Sequence, residues 1–268
     1  ISPAFGEDPV RILRVARFCA RYYHLGFTVA PETQMLMREM VTSGEIDHLV
    51  PERIWKEMGR ALTEKHPEAF IRTLRECGAL ERIMPELNQL FETAPAAAPN
   101  GETHCGELTL AVIQHACALS ESCEVRFAAL TCLLNSTSIH TLCERLAVPK
   151  QHRNLAVAVA ENYHQCQRVG ELDAATIIQT LQTLDAFRRP EKFSRYLLCC
   201  KALGLAQGFT NYPQAPYFQG ALDTCLKVTA KSVMQDGFRG KQLGDELRRR
   251  RIIAIEHYQQ GQSTLSLH

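Results

Sequence analysis

The chain has 268 residues, of which 46% are apolar and 22% are charged, a composition typical of a globular protein with a sizeable core. No apolar run approaches the roughly 18–20 residues that span a membrane, and no secretory leader is recognisable, so we expect no membrane partner. The formal net charge is only +1, which excludes binding of polyanions through bulk charge. Any phosphate-binding surface must therefore come from local basic clusters.

Eleven cysteines are spread irregularly along the chain, and none of them forms a Cys-x-x-Cys pair. Most fall within apolar helical patterns, so we interpret them as buried free thiols in a reducing compartment rather than as zinc ligands. This interpretation predicts a cytoplasmic protein.

The first predicted helix starts near Asp8 and Pro9. At about 100° per residue, four arginines share one of its faces: Arg11, Arg14, Arg17 and Arg21. Apolar side chains share the opposite face: Ile12, Val15, Ala16, Cys19 and Ala20. Because four like charges repel one another, the arginine face requires anionic partners or an anionic ligand.

Three further helices are predicted to begin at Pro31, Pro51 and Pro67, because proline suits the first turn of a helix. Gly78 is predicted to end the third of them. Strand-like alternation is scarce in the whole chain, so the sequence predicts an all-α fold.

The stretch 93–101 is rich in Pro, Ala and Gly and is predicted to be a linker. It separates a first helical unit at 1–92 from a second at 102–170. A third helical unit follows at 171–268, and its polar residues 259–268 are expected to fray.

Residues 7–18 carry the pattern Glu-Asp-x-x-Arg-x-x-Arg-x-x-Arg-Phe. With it the chain resembles the class II tRNA nucleotidyltransferases, the CCA-adding enzymes, and the related bacterial poly(A) polymerases. Further segments favour the CCA-adding branch: 2–6, 25–27, 52–57, 77–80, 85–87, 237–240 and 247–251. The resemblance implies that the three helical units are the neck, the body and the tail of such an enzyme.

The resemblance implies that Asp8 and Arg11 form a protein template for CTP and ATP. A carboxylate accepts a hydrogen bond from the exocyclic amine of cytosine or adenine, and a guanidinium donates to the adjacent ring nitrogen. Uracil and guanine present a carbonyl there and would be rejected. Glu7 would orient Arg11 or support the helix start. On local grounds alone, Asp8 before Pro9 is equally an ordinary helix cap.

Arg14 and Arg17 are candidates for phosphate or tRNA contact, with ion pairs inside the bundle as the alternative. The resemblance implies that the segment 53–57 braces the template helix. The alternative is an amphipathic helix whose charged face is simply exposed to solvent. Trp55, the single tryptophan, is expected in the core rather than as a platform for bases.

Many relatives of the resembled family carry a His-Asp metal site in the body, and residues 124–130 resemble the run that leads into it. Here the two ligand positions are Cys132 and Leu133, and the upstream histidine position falls near Leu108. Since these side chains cannot hold a divalent cation for hydrolysis, we expect a vestigial His-Asp fold without metal. The alternative is a relocated site among the remaining histidines: His104, His115, His140, His152 and His164.

Basic residues of the tail are candidates for contacts with tRNA phosphates: Arg188, Arg189, Lys192, Arg239, Arg248, Arg249, Arg250 and Arg251. The segment 237–240 could also present backbone N–H groups at a helix start to a phosphate. A solvated helix surface is the alternative. Few aromatic residues interleave these clusters, which favours recognition of a structured RNA over stacking on a single strand.

The chain starts with Ile1 rather than Met, and we expect a fragment or processed product that comprises neck, body and tail without the catalytic head. No Gly-rich loop followed by paired aspartates occurs in the sequence. The resemblance assigns the catalytic Mg²⁺ to the head, so we expect no catalytic residue here and no activity of this chain alone. The implied partners are tRNA, CTP and ATP. The alternatives are a portion of a poly(A) polymerase or a non-catalytic helical RNA-binding module.

Overall fold

A computed structural model describes residues 8–93 and 104–262. Within these ranges the secondary structure consists of α-helices and short 3₁₀ helices, so the fold is all-α, as predicted. Six helices form the first unit: α1 (Val10–Tyr22), α2 (Pro31–Thr42), α3 (Pro51–Leu62), α4 (Pro67–Glu76), α5 (Ala79–Ile83) and α6 (Pro85–Leu90). Four follow in the second: α7 (Cys105–Leu119), α8 (Cys123–Thr131), α9 (Ser136–Arg145) and α10 (Lys150–Gln167). The third has α11 (Ala174–Thr183), α12 (Pro190–Ala206), α13 (Gln214–Lys227), α14 (Ala230–Gln235) and α15 (Gly240–Gln262).

The starts of α2, α3 and α4 confirm the three predictions made from proline, since each helix has its proline in the first turn. Gly78 follows α4 with φ of +81°, a left-handed conformation that costs glycine little, and α5 starts directly after it. Helix α1 packs its apolar face against α4 and α3. Its buried residues are Val10, Ile12, Leu13, Ala16, Cys19 and Ala20.

The junction between the first and second units is built from rings and one buried arginine. The Trp55 ring meets the Phe127 and His152 rings edge to face, with ring centres 5.6 and 5.0 Å away. Trp55 thus packs against the core, as predicted. Arg126 is only 5% exposed and donates to the carbonyl oxygens of Leu62 and Glu64 at 2.8 and 2.9 Å. It therefore satisfies carbonyls at the end of α3, which fixes α3 against α8.

Helix α8 lies at the centre of the second unit, between α7, α10 and α12. Helix α12 comes from the third predicted unit but packs mainly against α7, α8 and α10, while α11, α13 and α14 all contact α15. The predicted domain boundary at residue 170 stays a prediction. Helices on the two sides of that boundary pack against each other, since α12 contacts α7, α8 and α10.

Most of the predicted linker, residues 94–101, lies outside the described residues, as do residues 263–268 of the segment expected to fray. Residues 259–262, in contrast, continue α15, so the prediction of a frayed end is wrong for these four residues. Among the described helices, none is both long and apolar enough to cross a membrane.

Candidate nucleotide and RNA interface

Asp8 sits just before α1 and meets two donors. Its Oδ1 accepts a hydrogen bond from the Val10 N–H at 3.1 Å, and its Oδ2 accepts one from Arg53 Nη2 at 2.7 Å. The first bond satisfies the leading N–H of α1, although Pro9 rather than Asp8 occupies the cap position of that helix. Each carboxylate oxygen has a second lone pair, however, and the side chain remains 30% exposed, so Asp8 can still accept from a ligand.

The same contacts set the charge state of Asp8. Burial raises the pKa of its carboxyl group, but the bonds from Arg53 and the Val10 N–H, together with the charges of Arg53 and Arg14, outweigh it and leave the pKa below the ordinary value. Asp8 is therefore an ionised acceptor at neutral pH.

Arg11 lies one helical turn after Asp8, and its N–H donates to the Asp8 carbonyl oxygen at 3.0 Å. The two side chains are not bonded to each other, because Arg53 holds the carboxylate. Within 8–93 and 104–262, no side chain pairs with the half-buried Arg11 guanidinium. A free donor thus stands beside a fixed acceptor. Glu7, the third residue of the expected template, lies outside the described residues.

Arg14 and Arg17 share the carboxylate of Glu57 on α3. Arg17 Nε donates to Glu57 Oε2 at 2.7 Å, and both side chains are largely buried, at 13% and 5% exposed. Arg14 Nε lies 3.7 Å from Glu57 Oε1 and keeps 52% of its side chain in solvent. The geometry favours the ion-pair alternative for Arg17, while Arg14 remains accessible to an anion.

Helix α3 therefore contacts the start of α1 at Asp8 and the arginine face of α1 at Arg14 and Arg17. Arg53 and Glu57 are four residues apart, so they lie on one face of α3, and they hold Asp8 and the two arginines. This is the bracing role that the resemblance implied for the segment 53–57. The sequence could not reveal that Arg53, rather than Arg11, is the partner of Asp8, because that contact joins residues 45 positions apart.

The two degenerate positions of the body lie at the end of α8. Cys132 is buried, which raises the pKa of its thiol to about 12, and Leu133 packs against the core. Of the histidines, His152 is buried between Trp55 and Phe127, where burial lowers its pKa against the opposing charge of Glu124. In the described ranges, no group of three or more His, Cys, Asp or Glu side chains could hold a metal ion. The described residues thus offer no site for the catalytic Mg²⁺, which the resemblance assigns to the head.

The first basic cluster of the tail is exposed. Arg188 and Arg189 each lie 3.5 Å from Asp185, and both side chains are more than half exposed. Lys192 lines a polar cavity of about 240 Å³ between α9, α10, α11 and α12, together with Glu161.

The second basic cluster consists of Arg248, Arg249, Arg250 and Arg251, and each of these side chains contacts another residue of the protein. Arg249 and Arg250 both bond to Glu246, at 2.7 and 2.8 Å, and lower the pKa of its carboxyl group to about 2. Arg248 reaches Gln182 Oε1 at 3.0 Å. Arg251 lies 4.2 Å over the Phe187 ring and is half-buried, which lowers its pKa.

The second cluster is preceded by a loop that Arg239 closes, since its guanidinium donates to the carbonyl oxygens of Met234 and Phe238. Helix α15 begins at Gly240, which is the position expected for a phosphate-binding helix start. Arg239 and Arg251 thus serve local structure, which the run of arginines in the sequence could not show.

The chain is similar to several known proteins. Residues 26–91 match the family model PolyA_pol_RNAbd, described as a probable RNA and SrmB-binding site of polymerase A. Over 280 residues the chain is 48% identical to the multifunctional CCA protein of Teredinibacter turnerae, covering 96% of this chain and 68% of the relative. The multifunctional CCA protein of Vibrio cholerae is 42% identical, with 96% and 69% covered.

Solved structures share the fold. A CCA-adding enzyme in complex with ATP superposes with a TM-score of 0.64 at 14% identity, over 97% of this chain and 60% of that one. The Thermotoga maritima CCA-adding enzyme complexed with tRNA gives 0.58 at 14% identity, over 92% and 57%. The fold is thus that of the helical portion of CCA-adding enzymes.

The sequence relatives then define the family: this chain belongs to the multifunctional CCA proteins, which confirms the resemblance seen in the arginine-rich motif. It spans about two thirds of the length of those relatives and about 60% of the structural neighbours.

Proposed function

We propose that this chain is the nucleotide-selecting and tRNA-binding portion of a CCA-adding tRNA nucleotidyltransferase, which adds CMP and AMP from CTP and ATP to tRNA 3′ ends. The observation that carries the proposal is the first turn of α1. There a fixed, ionised acceptor, Asp8, stands one turn from Arg11, a donor without a partner among the described side chains.

The chemistry follows from these two groups. Asp8 accepts from the exocyclic amine of cytosine or adenine, and Arg11 donates to the adjacent ring nitrogen. An ionised carboxylate has no proton to donate, so a base with a carbonyl at that edge meets repulsion instead of a bond. The bond from Arg53 keeps Asp8 in one orientation, which makes the selection geometric as well as electrostatic.

Nucleotidyl transfer itself is assigned to residues outside the described part of this chain. Phosphoryl chemistry needs positioned positive charge, which Mg²⁺ supplies in such enzymes. The described His, Cys, Asp and Glu residues form no cluster for it. We therefore propose that the metal and the catalytic carboxylates belong to a head domain and that this chain alone is inactive. All eleven cysteines are free, which supports a cytoplasmic location.

The proposed tRNA contacts in the tail are above all the exposed Arg188 and Arg189, together with Arg248, which is half-buried but reaches the surface at Gln182. A helical RNA-binding module without catalysis is the second candidate, because the matched family model describes a probable binding site for RNA and SrmB rather than a catalytic site.

The test uses the head-containing enzyme and the incorporation of all four nucleotides into a tRNA that lacks its CCA end. Asp8→Ala should reduce the preference for CTP and ATP over UTP and GTP, since one paired base contact contributes about 1–3 kcal/mol of discrimination. Arg11→Ala should slow CTP and ATP incorporation together. Asp47→Ala is the matched control, because Asp47 also pairs with an arginine, Arg82, on the surface of the same unit.

Unchanged nucleotide preference in Asp8→Ala, together with a lowered melting temperature, would make Asp8 a helix cap only. The template assignment would then be wrong.

A further inference from the structure

Exposed apolar side chains are concentrated in one place. Of the nine large apolar side chains that are exposed in the described ranges, five lie between residues 18 and 35: Phe18, Tyr23, Leu25, Phe27 and Met35. Single exposed apolar residues are ordinary, whereas a contiguous group marks a binding surface.

Two rings of this group, Phe18 and Phe27, are joined by the half-buried Tyr22 ring into a series of ring contacts, which we call the aromatic row. The Phe18 and Tyr22 ring centres lie 6.2 Å apart with their planes only 20° from parallel, and the Tyr22 and Phe27 centres lie 5.6 Å apart. Phe18 is 43% exposed and Phe27 is 57% exposed. The two outer rings thus present surface to solvent, while Tyr22 between them is half-buried.

Arginines flank the aromatic row: Glu57 neutralises Arg17, whereas Arg14 and Arg21 are exposed. Helix α1 contains four arginines and no acidic residue. At about 100° per residue, Phe18 and Tyr22 fall on the same face as Arg14. The Arg17 and Arg21 guanidinium carbons lie 4.8 and 5.4 Å from the centres of the Phe18 and Tyr22 rings.

Exposed rings among arginines are complementary to a single strand of nucleic acid, whose phosphates are anionic and whose bases present flat faces. A duplex hides those faces between its base pairs. A protein partner would need an acidic surface to match the same arginines. The match of residues 26–91 to an RNA-binding family model includes Phe27 and favours RNA.

We propose that the aromatic row stacks unpaired nucleotides at the 3′ end of an RNA. The proposal rests on the proposed function, because it places that end near Arg11. Phe18 follows Arg11 by seven residues, which is about 10 Å along a helix. A stacked strand rises about 3.4 Å per nucleotide, so about three unpaired nucleotides bridge the two places.

The experiment measures binding of a single-stranded oligoribonucleotide of about six nucleotides that carries 2-aminopurine, a base whose fluorescence is quenched by stacking. The 268-residue chain should bind it with quenching and should bind an RNA duplex of equal length more weakly. The double variant Phe18→Leu/Phe27→Leu keeps apolar bulk but removes two rings. It should weaken binding by at least about tenfold and abolish the quenching, because each stacked base contributes a factor of about 5 to 150.

The matched control is Phe209→Leu, since Phe209 is also 43% exposed but lies beyond α12, far along the chain from the row. It should bind like the parent chain. Equal binding and quenching by the double variant, or no binding of the single strand by the parent chain, would overturn the proposal. Self-association of the chain that the double variant abolishes, without a change in RNA binding, would instead make the row an interface between two copies.

These outcomes are separate from the test of nucleotide choice. If the double variant loses the oligonucleotide while Asp8→Ala leaves the preference of the whole enzyme unchanged, the stacking surface stands without the template. If Asp8→Ala loses the preference and the double variant binds normally, only the stacking proposal fails.

Discussion

A single carboxylate, that of Asp8, combines two roles whose energetic contributions differ. Its bond to the Val10 N–H supports the start of α1, and its bond to Arg53 fixes the direction in which the other lone pairs point. A helix cap contributes roughly 1 kcal/mol to stability, and a half-exposed ion pair contributes about 0–1 kcal/mol. The contribution of Asp8 to stability is therefore small, whereas the proposed base selection depends on the orientation of this one carboxylate.

Replacing Arg53 separates the effect of the Asp8 orientation on nucleotide preference from its effect on the stability of the fold. In the head-containing enzyme, Arg53→Leu should reduce the preference for CTP and ATP while costing about 1 kcal/mol of stability or less. Incorporation of the four nucleotides and thermal unfolding measure the two effects. Arg82→Leu, which removes the partner of Asp47 instead, is the control and should leave nucleotide preference unchanged.

The same replacement should change a titration. Arg53 lowers the pKa of Asp8, so the pair stabilises the fold above the ordinary carboxyl pKa of 3.8, and the stabilisation is lost as the pH falls through the lowered value. In Arg53→Leu the Asp8 midpoint, followed by carboxyl NMR signals, should rise. An unmoved midpoint would show that the Arg53 bond is absent in solution.

At the scale of helices, the position of α7 depends on the close approach of its Gly106 to the Phe91 ring. A Cβ on Gly106 would lie 2.3 Å from the Phe91 ring, and Phe91 is itself buried under Arg75. Gly106→Ala should therefore destabilise the chain by about 1–3 kcal/mol through overpacking. Gly244 in α15 has nothing within 4 Å of its Cβ position. Gly244→Ala should stabilise it by about 0.5–1 kcal/mol, and denaturant unfolding of both variants measures the contrast.

The arginines of α15 should differ in RNA binding according to their packing. Arg248 is half-buried, but its guanidinium bonds at the surface to the exposed Gln182, whereas Arg251 is half-buried with its guanidinium over the Phe187 ring. Arg248→Ala should make the salt dependence of tRNA binding shallower by roughly one unit, the value of one lost phosphate contact. Arg251→Leu, which retains the packing stem, should leave the slope unchanged. A shallower slope in Arg251→Leu alone would reverse the assignment.

Helix starts and the all-α class could be predicted from the sequence because they depend on local signals, such as proline in a first turn and spacing on one helix face. Partners across the fold could not. Glu57 neutralises Arg17, Arg53 holds Asp8 and Phe187 covers Arg251 through contacts between helices that are distant in sequence. The aromatic row was missed because Phe18 and Tyr22 read as ordinary helix residues until the packing showed which face stays in solvent.

At the scale of the whole molecule, the proposed function divides nucleotide selection and phosphoryl chemistry between polypeptide regions. The described helices place an acceptor, a free donor and exposed arginines on one bundle, yet they bring no carboxylate cluster together. Binding energy without positioned metal charge does not accelerate phosphoryl transfer. The 268-residue chain should accordingly bind tRNA, with an affinity that falls steeply as salt rises, and should incorporate no CMP into a tRNA that ends before CCA. The measurement is incorporation of labelled CMP with Mg²⁺ present, beside the head-containing enzyme as the positive control. Turnover by the purified chain would place catalytic residues within it and contradict the division.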